Sequence, residues 1–227
     1  MLAWIRKKLT PPPVTITALP EPKTEFDPVR LPTRDDQKVH LGVIIGHTRV
    51  AQGATMGLIA GGVSEYEYNT KVASLMISLA AKDYPRIKLS VITRDKQGIL
   101  GSYKHAQEIG CDCVIELHFN ASMNHKATGS ETLCTPDPMD VEFSHIIHKK
   151  ICDVFGRGGD SRGVVAIGRS VRGAPNIYAF QEGPNCLVEP FFGDSEDKLG
   201  KEKITQYAQG LLDAVSLWAR KLDLIKG

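Results

Sequence analysis

LGVIIG at residues 41–46, SEYEYNTKVASLMISLAAK at 64–82 and KLSVIT at 88–93 are the stretches whose reading decides the fold. The first is a short apolar run of the kind that forms a buried strand. The second repeats Tyr68, Val72, Leu75, Met76 and Leu79 along one helical face. It opens on Ser64 with Glu67 three residues later, a capping-box signature. The third is strand-like again. Outward from this unit the alternation continues. Residues 102–109 read as a helix closed by Gly110, and 138–155 as a helix ending at Gly156. Residues 114–118, 130–135 and 185–189 read as strands. A long helix over 199–222 places Ile204, Tyr207, Leu211, Val215 and Trp218 on its inner face. Strands separated by helices predict an α/β single-domain layer sandwich, a mainly parallel twisted sheet flanked by helices.

The stretch from 10 to 38 is dense in proline, from Pro11 to Pro32, among charged residues. Proline removes amide donors and fixes φ, so this stretch is neither helix nor central strand. The chain is therefore expected to divide into a proline-rich arm or linker over 1–37 and a compact catalytic domain over 38–227. Its first nine residues, MLAWIRKKL, run from apolar to basic, the reverse of an export signal. They read as a weak surface anchor or a plain terminus.

With 227 residues, 42% of them hydrophobic, the chain can bury the core of one domain. A net charge of +2 makes no demand for nucleic acid. No apolar run approaches the ~20 residues that span a bilayer, so no stable membrane insertion is expected. A monomer is the expected state. The five cysteines are odd in number and lie mostly in apolar runs, which fits reduced core thiols rather than a disulfide framework.

Ligand sites in parallel sheets gather at the carboxyl ends of strands. His47, His118 and Glu189 all lie at such ends, on three different strands. Two imidazoles and one carboxylate form a common protein set for catalytic zinc, which leaves a position for water. The carboxylate has to be chosen between Glu65 and Glu67. If Ser64 caps the helix, Glu67 bonds back to the cap and Glu65 is free to point outward, so Glu65 is the expected ligand. Glu189 sits in the apolar segment CLVEPFF, where a carboxylate is costly unless paired or given a task. Moving a proton from the attacking water to a leaving amine is such a task; a salt bridge to Arg94 or another arginine is the structural alternative. Glu116 shares the face of His118 by strand parity, either to orient that ligand or to pair with a lysine or arginine. Between 156 and 184, Arg157, Arg162, Arg169 and Arg172 lie in a long glycine-rich segment with a short strand around 164–167. His40, His105, His125, His145 and His148 read as surface or structural.

The order GHT, SEYEYN, TRD, LHFNAS, GSE, LVEPFF resembles the zinc-dependent N-acetylmuramoyl-L-alanine amidases over roughly residues 38–222. The resemblance implies Zn2+ held by His47, Glu65 and His118, with Glu189 as the catalytic glutamate. It implies cleavage, in peptidoglycan, of the amide between N-acetylmuramic acid and L-alanine. A zinc peptidase acting on another wall bond, or a non-catalytic wall-binding module of the same fold, are the alternatives. Thr48 and Arg49 replace the glycines that follow the first histidine in the family. Glu116 replaces a common small residue, and Pro190 departs near Glu189. The LHFNAS form is similar to phage lysins of the family. With the single domain, the lack of an export signal and the reduced cysteines, the expectation is a phage or prophage endolysin that waits in the host cytoplasm and acts on the wall once the membrane is breached.

Overall fold

The computed structural model describes residues 38–57, 62–159, 161–169 and 174–225. The proline-rich arm, the first nine residues and Arg172 lie outside the described residues. Six strands form one sheet: β1 (Val39–Ile45), β2 (Ile87–Ile92), β3 (Cys113–Leu117), β4 (Ser130–Cys134), β5 (Ser161–Ala166) and β6 (Asn185–Glu189). Their order is β2-β1-β3-β6-β4-β5. The helices are α1 (Glu65–Asp83), α2 (Gly98–Glu108), α3 (Pro138–Phe155), α4 (Ala174–Ile177) and α5 (Asp197–Lys221).

The sheet is α/β and mostly parallel, as the alternation predicted. One pairing reverses it: β4 runs antiparallel to β6, with Glu131 opposite Glu189. β5 then runs parallel to β4. The sheet is therefore mixed, and its two halves point in opposite directions. β1, β2, β3 and β6 end at one edge. β4 and β5 begin there.

Side chains alternate across each strand, so β1 feeds two cores. Val39, Leu41, Val43 and Ile45 face the larger one, with α1, α3 and α5. Ile44 faces the smaller one, with Tyr103 and Ala106 of α2 and Ile177 of α4. The long helix α5 buries Tyr207, Leu211, Val215 and Trp218, and the Trp218 indole meets Phe143 of α3 at 5.2 Å between ring centres. Four of the five cysteines are buried and none is bonded to another.

Most boundaries follow local chemistry. Ser64 caps α1, accepting from the Glu67 amide, while Glu67 accepts from the Ser64 amide at 2.9 Å. Asp137 caps α3 with Pro138 at its first turn, and Gly156 closes it in the left-handed conformation. α2 starts at Gly98, four residues earlier than the sequence suggests. The Ser102 hydroxyl donates to the Gly98 carbonyl one turn back and so sits inside the helix. The segment after α3 holds the edge strand β5, slightly earlier than expected, and the short α4. Among the described residues, no helix is long and apolar enough to cross a membrane.

Candidate metal centre

β1 ends at Ile45, and Gly46 donates to the Leu117 carbonyl of β3 at 2.9 Å. A side chain at Gly46 would meet the His118 ring at about 2.5 Å, so only glycine lets the two strand ends approach this closely. His47 follows with φ 66°, the left-handed conformation, rare for a residue with a side chain. The loop then folds back onto α1. Ala54 O accepts from the Glu65 amide at 2.9 Å, and Gln52 O from the Tyr66 amide at 3.1 Å.

This route brings three donors together. Suitable atoms of His47, Glu65 and His118 all lie within 4.8 Å of one another. His47 Nε2 is 3.1 Å from Glu65 Oε2, and His118 Nδ1 is 2.7 Å from Glu65 Oε1. The two rings meet edge to face at 5.1 Å. The Glu65 carboxylate is held from behind by the amides of Phe119 and Ala54, each at 3.2 Å. Asn69, one turn along α1, donates to the Leu117 carbonyl at 3.1 Å and fastens the helix to β3. Burial pushes the Glu65 carboxyl up. The hydrogen bonds and charges of His118 and His47 outweigh that and hold it down at about 2. Glu65 is thus an ionised carboxylate between two imidazoles, a set that fits zinc.

Gly53 closes the cradle. With φ +78°, it would place a Cβ 2.5 Å from Glu65 Oε2 and 2.6 Å from the His47 ring. Gly53→Ala is expected to cost about 1–3 kcal/mol of stability, from strain and overpacking against Glu65 and His47. Denaturant midpoints read the effect. The sequence carried no signal for this position.

Glu189 ends β6, next to β3, where the His118 amide donates to the Val188 carbonyl at 3.1 Å. Its Oε2 is shut off from solvent and has no hydrogen-bond partner among the described residues. Burial raises its pKa to about 8; the Glu65 and Glu131 charges add to that, and His118 opposes it. The Arg94 arm of the salt-bridge alternative does not form, because Arg94 pairs with Glu116 instead. Two carboxylates in one cleft are therefore pushed to opposite protonation states.

This shift has a stability consequence in the metal-free protein. The folded state holds the Glu189 proton more tightly than the unfolded chain. The cost of ionising it is absent below about pH 4.5, grows as pH rises, and is complete above about pH 8. Metal-free Glu189→Gln is expected to be more stable than the parent by about 2–5 kcal/mol at pH 8.5 and equal to it at pH 4. Unfolding curves at the two pH values read this.

The replacements around the site also find partners. The Arg49 amide donates to Asp95 Oδ1 at 2.8 Å and its Nε lies 3.4 Å from Oδ2. This ties the β1 loop to the β2 loop, and the Tyr66 hydroxyl joins them at 3.1 Å. Of the glycine-rich segment's arginines, Arg157 is buried in an ion pair with Glu196 at 2.6 Å. Arg169 stacks on Tyr178 beyond the far end of β5. Arg162 sits at the Glu189 edge with a less buried side chain, over Phe192 and 3.6 Å from Glu131. His125 is a structural histidine at the surface: its Nδ1 is 2.9 Å from the buried Asp194.

Two imidazoles and a carboxylate within 4.8 Å of one another, beside a second carboxyl raised by burial, fit the donor set of a mononuclear metal site. Residues 42–216, well over half the chain, match the N-acetylmuramoyl-L-alanine amidase family, and the chain belongs to it. The fold is similar to the catalytic domain of the amidase CwlV from Bacillus (Paenibacillus) polymyxa var. colistinus. The TM-score is 0.66 at 21% identity, covering 82% of this chain and 99% of that one. It is similar to the amidase of Clostridium difficile 630 at TM-score 0.66 and 22% identity, covering 82% and 98%. It is also similar to the catalytic domain of the CD27L endolysin, which targets Clostridia difficile, at TM-score 0.56 and 25% identity, covering 79% and 97%. No curated protein sequence matches the chain.

Proposed function

We propose that this protein hydrolyses the amide between the lactyl group of N-acetylmuramic acid and L-alanine in peptidoglycan. In this reading His47, Glu65 and His118 hold zinc and Glu189 carries the proton. The observation that carries it is the convergence of the three donor groups beside a Glu189 oxygen that is buried and unpartnered, in a chain of this family. When bound, zinc supplies a Lewis acid that polarises the scissile carbonyl and acidifies water.

The protein groups have separate tasks. Glu65, fixed by two backbone amides, supplies negative charge and keeps both rings in place. Glu189 takes one proton from the attacking water as the new C–O bond forms. It then delivers that proton to the amide nitrogen, the C–N bond breaks, and the L-alanine amine leaves. A carboxyl raised by burial suits the second task, and the positive charge of a bound metal, which lowers it, suits the first. Arg162, at the same sheet edge, would exchange its Glu131 partner for a carboxylate of the stem peptide.

The protein would act as a monomer on the wall, as a phage lysin does: made in the host cytoplasm and reaching peptidoglycan after the membrane is breached. Release of peptides with free L-alanine amino termini from purified walls tests the activity. Glycan fragments, or peptides cut elsewhere, would contradict it.

A further inference from the structure

We propose that Glu116 is a positioning residue for His118, accepting a hydrogen bond from its Nε2 so that Nδ1 turns its lone pair toward the metal. The proposal rests on the reading of His118 as a ligand.

Glu116 lies on β3 two residues before His118 and has no exposed surface. A carboxylate buried this deeply is costly unless its oxygens are satisfied. Three groups do so. Arg94, at the end of β2, forms an ion pair with Oε1. The Tyr103 hydroxyl of α2 donates to Oε2 at 2.5 Å. The third is His118, whose Nε2 lies 3.3 Å from Oε1. The other ring nitrogen, Nδ1, lies 2.7 Å from Glu65 Oε1, to which it donates until a metal takes the proton's place, and it faces the point where the donors converge.

A neutral imidazole carries one proton, and which nitrogen holds it depends on the partner of the other. Two partners compete at Nε2. An Arg94 terminal nitrogen is also 3.3 Å away. Arginine can only donate, so it favours a bare Nε2 and a protonated Nδ1, the form that cannot bind metal. Glu116 can only accept while ionised, so it favours a protonated Nε2 and a free Nδ1. The ion pair holds Arg94 on Glu116 and so keeps a charged acceptor in front of Nε2. Carboxylate–histidine–metal arrangements of this kind orient the ring and raise its basicity, and losing the outer partner typically costs about 10–100-fold in metal affinity.

The same cluster would also serve if it only held β2, β3 and α2 together. Zinc affinity, measured on the full chain by competition with a chromophoric chelator, separates the two roles. Arg94→Met/Glu116→Gln removes both charges but keeps an acceptor for Nε2. Arg94→Met/Glu116→Met removes both charges and the acceptor. The first is expected to bind zinc almost as the parent does, and the second about 10–100-fold more weakly. Equal affinities for the two would overturn the proposal. A parent that binds no zinc, or a His118→Ala variant that binds it as tightly as the parent, would overturn the metal reading instead. Long-range proton–nitrogen correlation spectra of the zinc-loaded parent need no variant to fold. They are expected to show the His118 proton on Nε2, and a bare Nε2 would overturn the proposal.

Discussion

Replacing Glu189 by glutamine is expected to lower the rate of wall hydrolysis by about 10²–10⁴-fold, the range that a positioned general acid–base group supplies. Glutamine keeps the size of the side chain and loses only the ability to take and return a proton. Zinc content should stay at the parent level, because Glu189 lies outside the group formed by His47, Glu65 and His118. The residual rate should lose the part of the pH profile that reports this carboxyl. The fold should not suffer, since the uncharged side chain removes a buried ionisable group whose second oxygen has no partner. A variant that cleaves at the parent rate would show that another group moves the proton.

The second large effect is expected at His118. His118→Ala removes a ring that lies against Glu65 at 2.7 Å and His47 at 5.1 Å. Loss of a group one layer further out already costs metalloproteins about 10–100-fold in affinity. Loss of the ring itself should therefore weaken zinc binding by more than about 100-fold and abolish wall hydrolysis at ordinary zinc concentrations. Removing zinc from the parent with a chelator should have the same effect, reversed by adding zinc back. The variant should fold, because the site lies at the mouth of the sheet and the larger core is built from other residues. Metal content by elemental analysis and hydrolysis of purified walls measure both halves. A folded variant with full zinc occupancy would remove His118 from the site.

Much of this was legible in local chemistry. The capping box at Ser64 decided between two glutamates. Glu67 is tied back to the cap, and Glu65 is the one whose carboxylate lies between the rings. The strand ends were legible because buried runs stop where the first polar residue of the loop appears, as at Gly46-His47 and Leu117-His118. The direction of β4 was not, because alternation tells which face a side chain occupies and says nothing of which neighbour a strand joins. The tight approach at Gly53 was hidden for a similar reason: it depends on a loop returning over α1, a long-range event that one glycine does not announce. Glu116 was legible only as a choice between an arginine partner and a histidine partner. The structure gives it both, since Arg94 arrives from β2 on the same face. The arginines after α3 could not be sorted by sequence, because their fate depends on the reversed half of the sheet. It leaves Arg162 at the Glu189 edge and Arg169 beyond the other.

The most direct measurement is mass spectrometry of the products from purified peptidoglycan, with the parent protein in its zinc-loaded, chelated and zinc-restored forms. Stem peptides beginning at a free L-alanine amine, alongside uncut glycan chains, should appear with zinc, vanish with chelator and return on reloading. Cleavage at a different bond, or unchanged release of these peptides from protein shown to contain no metal, would contradict it.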